Sequence, residues 1–178
     1  MYIYKAAVLG AGIMGAEIAQ VITYSGLPVI LKDVNDEAVQ KGIAKVRKIY
    51  QERVDKGKMT STEMEQKLAL ISGATDFKDF GDVDIVIEAV PEDMKIKQKV
   101  FQELEKSCPE STIFASNTSA LSITEMASAT KKPDKVIGMH FFNPAHKMKL
   151  VEVIPGLTTS QETVDDVVAF TESLRKIA

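Results

Sequence analysis

Val8-Leu9-Gly10-Ala11-Gly12-Ile13-Met14-Gly15-Ala16-Glu17-Ile18-Ala19 decides how the rest of the chain is read. An apolar run passes into a G-x-G-x-x-G turn, and the turn passes directly into a helical stripe. Each glycine meets a separate need. Gly10 allows the tight turn, Gly12 lets backbone come close to a pyrophosphate, and Gly15 lets the helix pack on the strand. The first N–H groups of the helix, at its positive end, then face the phosphates of a dinucleotide.

Working outward, Ile3 to Leu9 reads as a short strand suited to the buried middle of a parallel sheet. Ile18, Ala19, Val21 and Ile22 continue the helix to Gly26, a left-handed cap. Leu27 to Asp33 is a second strand that ends in an acid, 23 positions after Gly10. A carboxylate there accepts hydrogen bonds from ribose hydroxyls and repels a 2′-phosphate, which favours NAD over NADP. Lys32 points to the opposite side of the strand. A plainer reading stays open: a glycine turn that serves packing alone, with Asp33 as a helix N-cap.

Strand and helix patterns then alternate. A long charged amphipathic helix covers about residues 35–57, and Thr60-Ser61-Thr62-Glu63 predicts a capping box for a helix reaching about Ile71. A short third strand is expected near Gly73-Ala74-Thr75 and a clearer fourth over Val83–Ala89. A helix over Lys95–Cys108 places Ile96, Val100, Phe101 and Leu104 toward a core. A strand at Thr112–Ser116 follows, then a second capping box at Ser122–Glu125. Strands at Val136–Met139 and Leu150–Ile154 and a helix from about Gln161 complete the chain. Strands separated by helices of this length mean crossover units, hence an α/β, doubly wound, mainly parallel Rossmann-type sheet with helices on both faces. The end at Thr171–Ala178 lies in or just after a helix without a glycine cap and reads as a truncated chain or an excised domain.

Composition excludes several classes. The 178 residues carry 22 basic and 25 acidic side chains, a net charge of −3, which leaves no cationic excess to meet nucleic acid or an anionic membrane. The single cysteine, Cys108, rules out an internal disulfide framework and a cysteine zinc cluster, and reads as structural. No metal site is expected. The opening Met1-Tyr2-Ile3-Tyr4-Lys5 lacks the regions of a signal peptide, and no apolar run reaches membrane-spanning length, so a cytoplasmic location is the expectation.

Reaction class has to come from the second half. Glu88-Ala89-Val90-Pro91-Glu92, Ser116-Asn117-Thr118-Ser119 and His140-Phe141-Phe142-Asn143-Pro144 follow the fourth, fifth and sixth strands, at the carboxyl edge where such sheets bind ligands. Histidine is suited to taking an alcohol proton near neutral pH, and a carboxylate on its other nitrogen fixes the tautomer. His140 is that candidate, and Glu152, in the last strand, its partner. Ser119 and Asn117 offer neutral groups for a substrate oxygen or the nicotinamide end. Bland readings stand beside these: His140 as a structural hydrogen-bonder, Glu152 as a solvated strand residue, and Asn117–Ser119 as a polar turn. His146, among Lys147 and Lys149, reads as exposed or near an anion, and the scattered methionines read as packing.

Gly10–Ala19, Ile87–Glu92, Ala115–Ser119, His140–Pro144 and Met148–Ile154 together resemble the 3-hydroxyacyl-CoA dehydrogenase family over essentially the whole chain. The resemblance implies NAD-dependent oxidation of (S)-3-hydroxyacyl-CoA to the 3-oxo compound, with His140 as base, Glu152 orienting it and Ser119 touching substrate hydroxyl and cofactor. It also implies Asn143, Glu92 and Lys97 along the nicotinamide half of NAD, Met14 and Asp33 toward the other half, and Ile13, Val90 and Asn117 among the cofactor-binding residues. Members usually continue into a helical C-terminal domain that dimerises and closes over the acyl-CoA. Residues 1–178 are then the NAD-binding domain, expected to bind NAD but turn over weakly or not at all. Ala120 stands where many members have a second serine. The Asn143–Lys147 stretch also resembles versions fused to an enoyl-CoA hydratase, and Lys45, Lys48, Lys56 and Lys58 are either a solvated helix face or contacts for CoA phosphates. A non-catalytic NAD-binding protein and another β-hydroxyacid-type dehydrogenase are the alternatives.

Overall fold

The apolar run before Gly10 forms β1 (Ala6–Leu9), and all four of its residues are buried, as a central parallel strand requires. The computed structural model describes residues 1–178. After β1 come α1 (Ile13–Tyr24), β2 (Val29–Lys32), α2 (Asp36–Asp55), α3 (Ser61–Leu68), β3 (Ile71–Ala74) and β4 (Ile85–Glu88). Then follow α4 (Met94–Ser107), β5 (Ile113–Ser116), α5 (Ile123–Ala127), β6 (Val136–Phe141), β7 (Val151–Pro155) and α6 (Gln161–Ser173). The seven strands make one sheet in the order β3-β2-β1-β4-β5-β6-β7. The order reverses between β1 and β4, which opens a crevice at the carboxyl ends of those two strands.

β1 to β6 are all parallel, and β7 alone is antiparallel, paired with β6. The reason lies in the connection. Residues 142–150 contain no helix and are too few for a crossover, so the chain turns back along the strand it has just left.

Side chains alternate between two cores. Val8, Leu31, Ile87, Ala115, Met139 and Phe141 pack with α1, α2 and α6 on one face, while Leu9, Ile30, Val86, Phe114 and Val136 pack with α4 and α5 on the other. On the second face the rings of Phe101 and Phe114 stack with centroids 5.7 Å apart. On the first, the Tyr50 hydroxyl is buried against Thr23 Oγ1 at 2.7 Å, and burial pushes its pKa up to about 12.

Several boundaries move. The helix expected to reach Ile71 ends at Leu68, so β3 begins at Ile71 rather than near Gly73. The Thr60 capping box is present in full, with Thr60 Oγ1 accepting from Glu63 N–H and Glu63 reaching back to Thr60 N–H. At Ser122 only one half forms: Ser122 Oγ accepts from Glu125 N–H, and the helix is one short turn. Gly26 does adopt positive φ, just after α1. At the far end the chain leaves α6, and Ile177 forms a parallel bridge to Leu150 beside β7.

Candidate active site

The glycine turn joins the ends of β1, β2 and β4. Gly10 has φ +96°, and a Cβ there would lie 2.6 Å from the Ala89 carbonyl oxygen, so the turn and the β4–α4 loop touch at the crevice. A Cβ on Gly15 would overlap the Gly10 carbonyl oxygen, whereas one on Gly12 meets nothing within 4 Å. Gly15 is therefore needed by the protein's own packing, and Gly12 borders open space. No side chain caps α1 and no acid lies in its first turn, so its leading N–H groups face the crevice uncovered.

Asp33 closes this half. Its Oδ2 accepts from Ala11 N–H at 2.8 Å and its Oδ1 from Val34 N–H at 2.7 Å, which pins the carboxylate from the end of β2 against the glycine turn. Lys32 does face away, with its ammonium 4.3 Å from the Phe77 ring centroid. Ile13 is exposed at the mouth of the turn, while Met14 is half-buried against the α1 core. Uncovered N–H groups, an unfilled space over Gly12 and a ribose-type acceptor together fit the phosphates and adenosine end of a dinucleotide. The other half of the crevice is built on β4–β6.

There the chain buries a charged network. Lys97 is 1% exposed and Glu88 is fully buried. The Lys97 ammonium donates to Glu88 Oε1 at 2.7 Å and Oε2 at 2.9 Å, and lies 3.4 Å from Glu92 Oε1. Glu88 also accepts from the Ser116 hydroxyl and from Val90 N–H. Glu92 in turn accepts from Thr118 Oγ1 at 2.7 Å. The network ties the β4–α4 loop to the β5 loop. Asn117 carries the tie onward, its Oδ1 accepting from Phe141 N–H at 2.7 Å. That bond fixes the end of β6 beside His140.

His140 and Glu152 are directly opposed residues of the β6–β7 pair. Nδ1 of His140 lies 3.0 Å from Glu152 Oε1. A carboxylate can only accept, so Nδ1 donates, and in the neutral ring Nε2 carries the lone pair. No protein group bonds Nε2, and the ring is held on its other side by Phe142, with centroids 4.7 Å apart. His140 itself lies within β6, the strand being longer at its end than the Val136–Met139 run expected from the sequence. The face it shares with Gly138 is crowded, since a Cβ on Gly138 would come 2.9 Å from Ile154 and 3.0 Å from Ile123.

Ser119 is exposed and its hydroxyl bonds no protein group, while Asn143, also exposed, lies just beyond β6. Val90 is half-buried against the α4 core. Three contributors lie in segments the sequence places at the ligand edge, yet the sequence assigned them no role. Glu88 and Ser116 were visible as polar residues inside apolar strands, which is the signal of a buried partner. Thr118 had no such signal. The reading of His146 as exposed needs correction: it is only partly exposed, and its Nδ1 lies 3.6 Å from Oε2 of the buried Glu17. A lone carboxylate on the apolar stripe of α1 was the available clue. On the same side, Arg53, Lys56, Lys58, Lys147 and Arg175 help line a cavity of about 290 Å³ between α1, α2 and the chain end, with Glu52 among them, while Lys45 and Lys48 lie outside it.

Comparison with known proteins converges on one group. Residues 5–178 match the family model described as 3-hydroxyacyl-CoA dehydrogenase, NAD binding domain. The chain is 47% identical over 173 residues to a 3-hydroxybutyryl-CoA dehydrogenase of Clostridioides difficile, covering 97% of this chain and 62% of that protein. It is 46% identical over 172 residues to a fatty acid oxidation complex subunit alpha of Pseudomonas syringae pv. syringae, covering 97% of this chain and 24% of the relative. The crystal structure of an (S)-3-hydroxybutyryl-CoA dehydrogenase from Ralstonia eutropha superposes with a TM-score of 0.96 at 42% identity, over 98% of this chain and 62% of that one. The chain thus spans about three fifths of these two dehydrogenases and about a quarter of the fatty acid oxidation complex subunit.

Proposed function

The chain belongs to the 3-hydroxyacyl-CoA dehydrogenase family, as its NAD-binding domain, and from that membership we propose that the protein it forms part of oxidises (S)-3-hydroxyacyl-CoA thioesters to 3-oxoacyl-CoA. The observation that carries the reading is the His140–Glu152 pair, with Nδ1 held at 3.0 Å and Nε2 left open toward the carboxyl edge of the sheet. NAD⁺ bound along the crevice supplies the hydride acceptor for the substrate C3–H. His140 Nε2 takes the proton of the 3-hydroxyl as that hydride leaves, and Glu152 stabilises the imidazolium that results. Ser119, free of protein partners, donates to or accepts from the same oxygen. Asp33, pinned at the glycine turn by Ala11 N–H, sets the preference for NAD by repelling a 2′-phosphate.

The substrate's phosphates have a candidate counterpart in the basic cavity lined by Arg53, Lys56, Lys58, Lys147 and Arg175. The test is direct: the chain alone should bind NAD, and the full-length protein should consume NADH with acetoacetyl-CoA. Loss of that consumption in His140→Gln, with NAD affinity retained, supports the assignment. Turnover that survives the substitution overturns it.

A further inference from the structure

We infer that Glu92 makes this site discriminate between the two oxidation states of its cofactor, binding the oxidised, cationic nicotinamide more tightly than a neutral carboxamide side chain at this position would. The inference rests on the proposed NAD site and deepens it. Three carboxylates crowd the β4–α4 loop: Glu88, Glu92 and Asp93. Two of them are answered. Glu88 takes both of its short ammonium contacts from Lys97, along with the Ser116 hydroxyl and Val90 N–H. Asp93 caps α4, its Oδ1 accepting from Ile96 N–H at 3.1 Å, where the positive end of the helix meets its charge.

Glu92 is different. Its Oε1 has one good hydrogen bond, from the neutral Thr118 hydroxyl at 2.7 Å, and approaches Lys97 only at 3.4 Å. The single positive charge of Lys97 is already matched by Glu88, so one negative charge is left over. The Glu92 side chain is 44% exposed, whereas the Lys97 side chain is 2% exposed. The surplus charge is therefore the accessible one. It sits on the loop that touches Gly10 across the β1–β4 reversal, on the half of the crevice opposite Asp33, where the reactive end of the dinucleotide belongs.

The nicotinamide ring of NAD⁺ carries a positive charge that NADH lacks, and the rest of the two molecules is the same. A fixed negative charge within several ångströms of that ring favours only the oxidised form. In a partly screened setting the difference is about tenfold in affinity. Thr118 keeps the carboxylate from swinging into solvent, so the preference is built into the β4 and β5 loops together.

The 178-residue chain and its Glu92→Gln variant are titrated with NAD⁺, NADH and ADP-ribose, with binding read calorimetrically. The substitution is expected to raise the ratio Kd(NAD⁺)/Kd(NADH) about tenfold and leave ADP-ribose unchanged, while Glu92→Asp keeps the original ratio. Raised salt should shrink the wild-type preference. An unchanged ratio in Glu92→Gln overturns the inference, as does an equal loss for both nucleotides, which marks Glu92 as a wall of the site without charge selection. Failure of all three ligands to bind the wild-type chain overturns the NAD site itself and the inference with it.

Discussion

His140 and Glu152 are separated by twelve residues in sequence and by one inter-strand step in space, where the antiparallel β6–β7 pair sets them directly opposite. The reversal after Phe141 achieves this, because a parallel return would carry residue 152 to the far end of the sheet. The two side chains have different tasks, and substitution should separate them. In the full-length protein, His140→Gln is expected to lower kcat by about 10²–10⁴-fold with little change in NAD affinity. Glu152→Gln should cost less, since the ring keeps its place but loses the carboxylate that fixes its tautomer. Steady-state rates, beside NAD titrations, check both; equal kcat for wild type and Glu152→Gln would remove the orienting role.

The glycines of the first turn predict opposite outcomes from one added methyl group. Gly15→Ala places the methyl against the Gly10 carbonyl, so the turn must open. A loss of more than about 2 kcal/mol in urea unfolding is expected. Gly12→Ala meets no protein atom within 4 Å, so the fold should survive with a small change in Tm. NAD affinity should nonetheless fall at least about tenfold, because the methyl fills space needed for close backbone approach. Paired unfolding and binding measurements separate these cases.

Lys97 and Glu88 form a buried pair whose value lies in being complete. Lys97→Met leaves Glu88 fully buried without its cation and is expected to cost about 3–5 kcal/mol. Adding Glu88→Gln to the same chain should restore a good part of the loss, because the remaining amide carries no charge. Urea denaturation of the two single variants and the double variant measures the coupling. Additive losses would show that the pair does not act as a unit.

Asp33 is expected to govern the choice of dinucleotide. Asp33→Ser should weaken NAD binding and strengthen NADP binding, narrowing the ratio by about tenfold or more as the repulsion of the 2′-phosphate disappears. Since Asp33 Oδ2 also holds Ala11 N–H, part of the loss in NAD affinity should appear for ADP-ribose as well. Titration with the three ligands resolves the two contributions.

Cys108 ends α4 half-buried, and burial raises its pKa from 9.0 to about 11. A thiol that stays protonated is a poor nucleophile, so iodoacetamide at pH 8.5 should label the native chain far more slowly than the urea-unfolded chain. The native state holds this proton more firmly than the unfolded state does. Its contribution to stability is therefore complete below pH 9 and declines as the pH rises from 9 toward 11. Rapid native labelling would contradict the burial.

Much of the molecule was legible in residue order because the signals are local. A glycine turn between an apolar run and a helix, an acid ending the next strand, and alternating strand and helix patterns are each read within a few residues, and β1, α1, β2 and Asp33 lie where those patterns put them. Capping at Thr60 is of the same kind: complementary groups three positions apart find each other without help from the rest of the chain. What the tertiary structure alone decided are relationships between distant segments. The antiparallel turn of β7 opposes Glu152 to His140, the packing of α4 on β4 consigns Lys97 to Glu88 and leaves Glu92 with the open charge, and the return of the 142–150 loop onto α1 brings His146 to Glu17. Neighbouring residues carry the period of an element, but which face of which element meets another depends on closure of the whole sheet, and charge pairing follows from that closure.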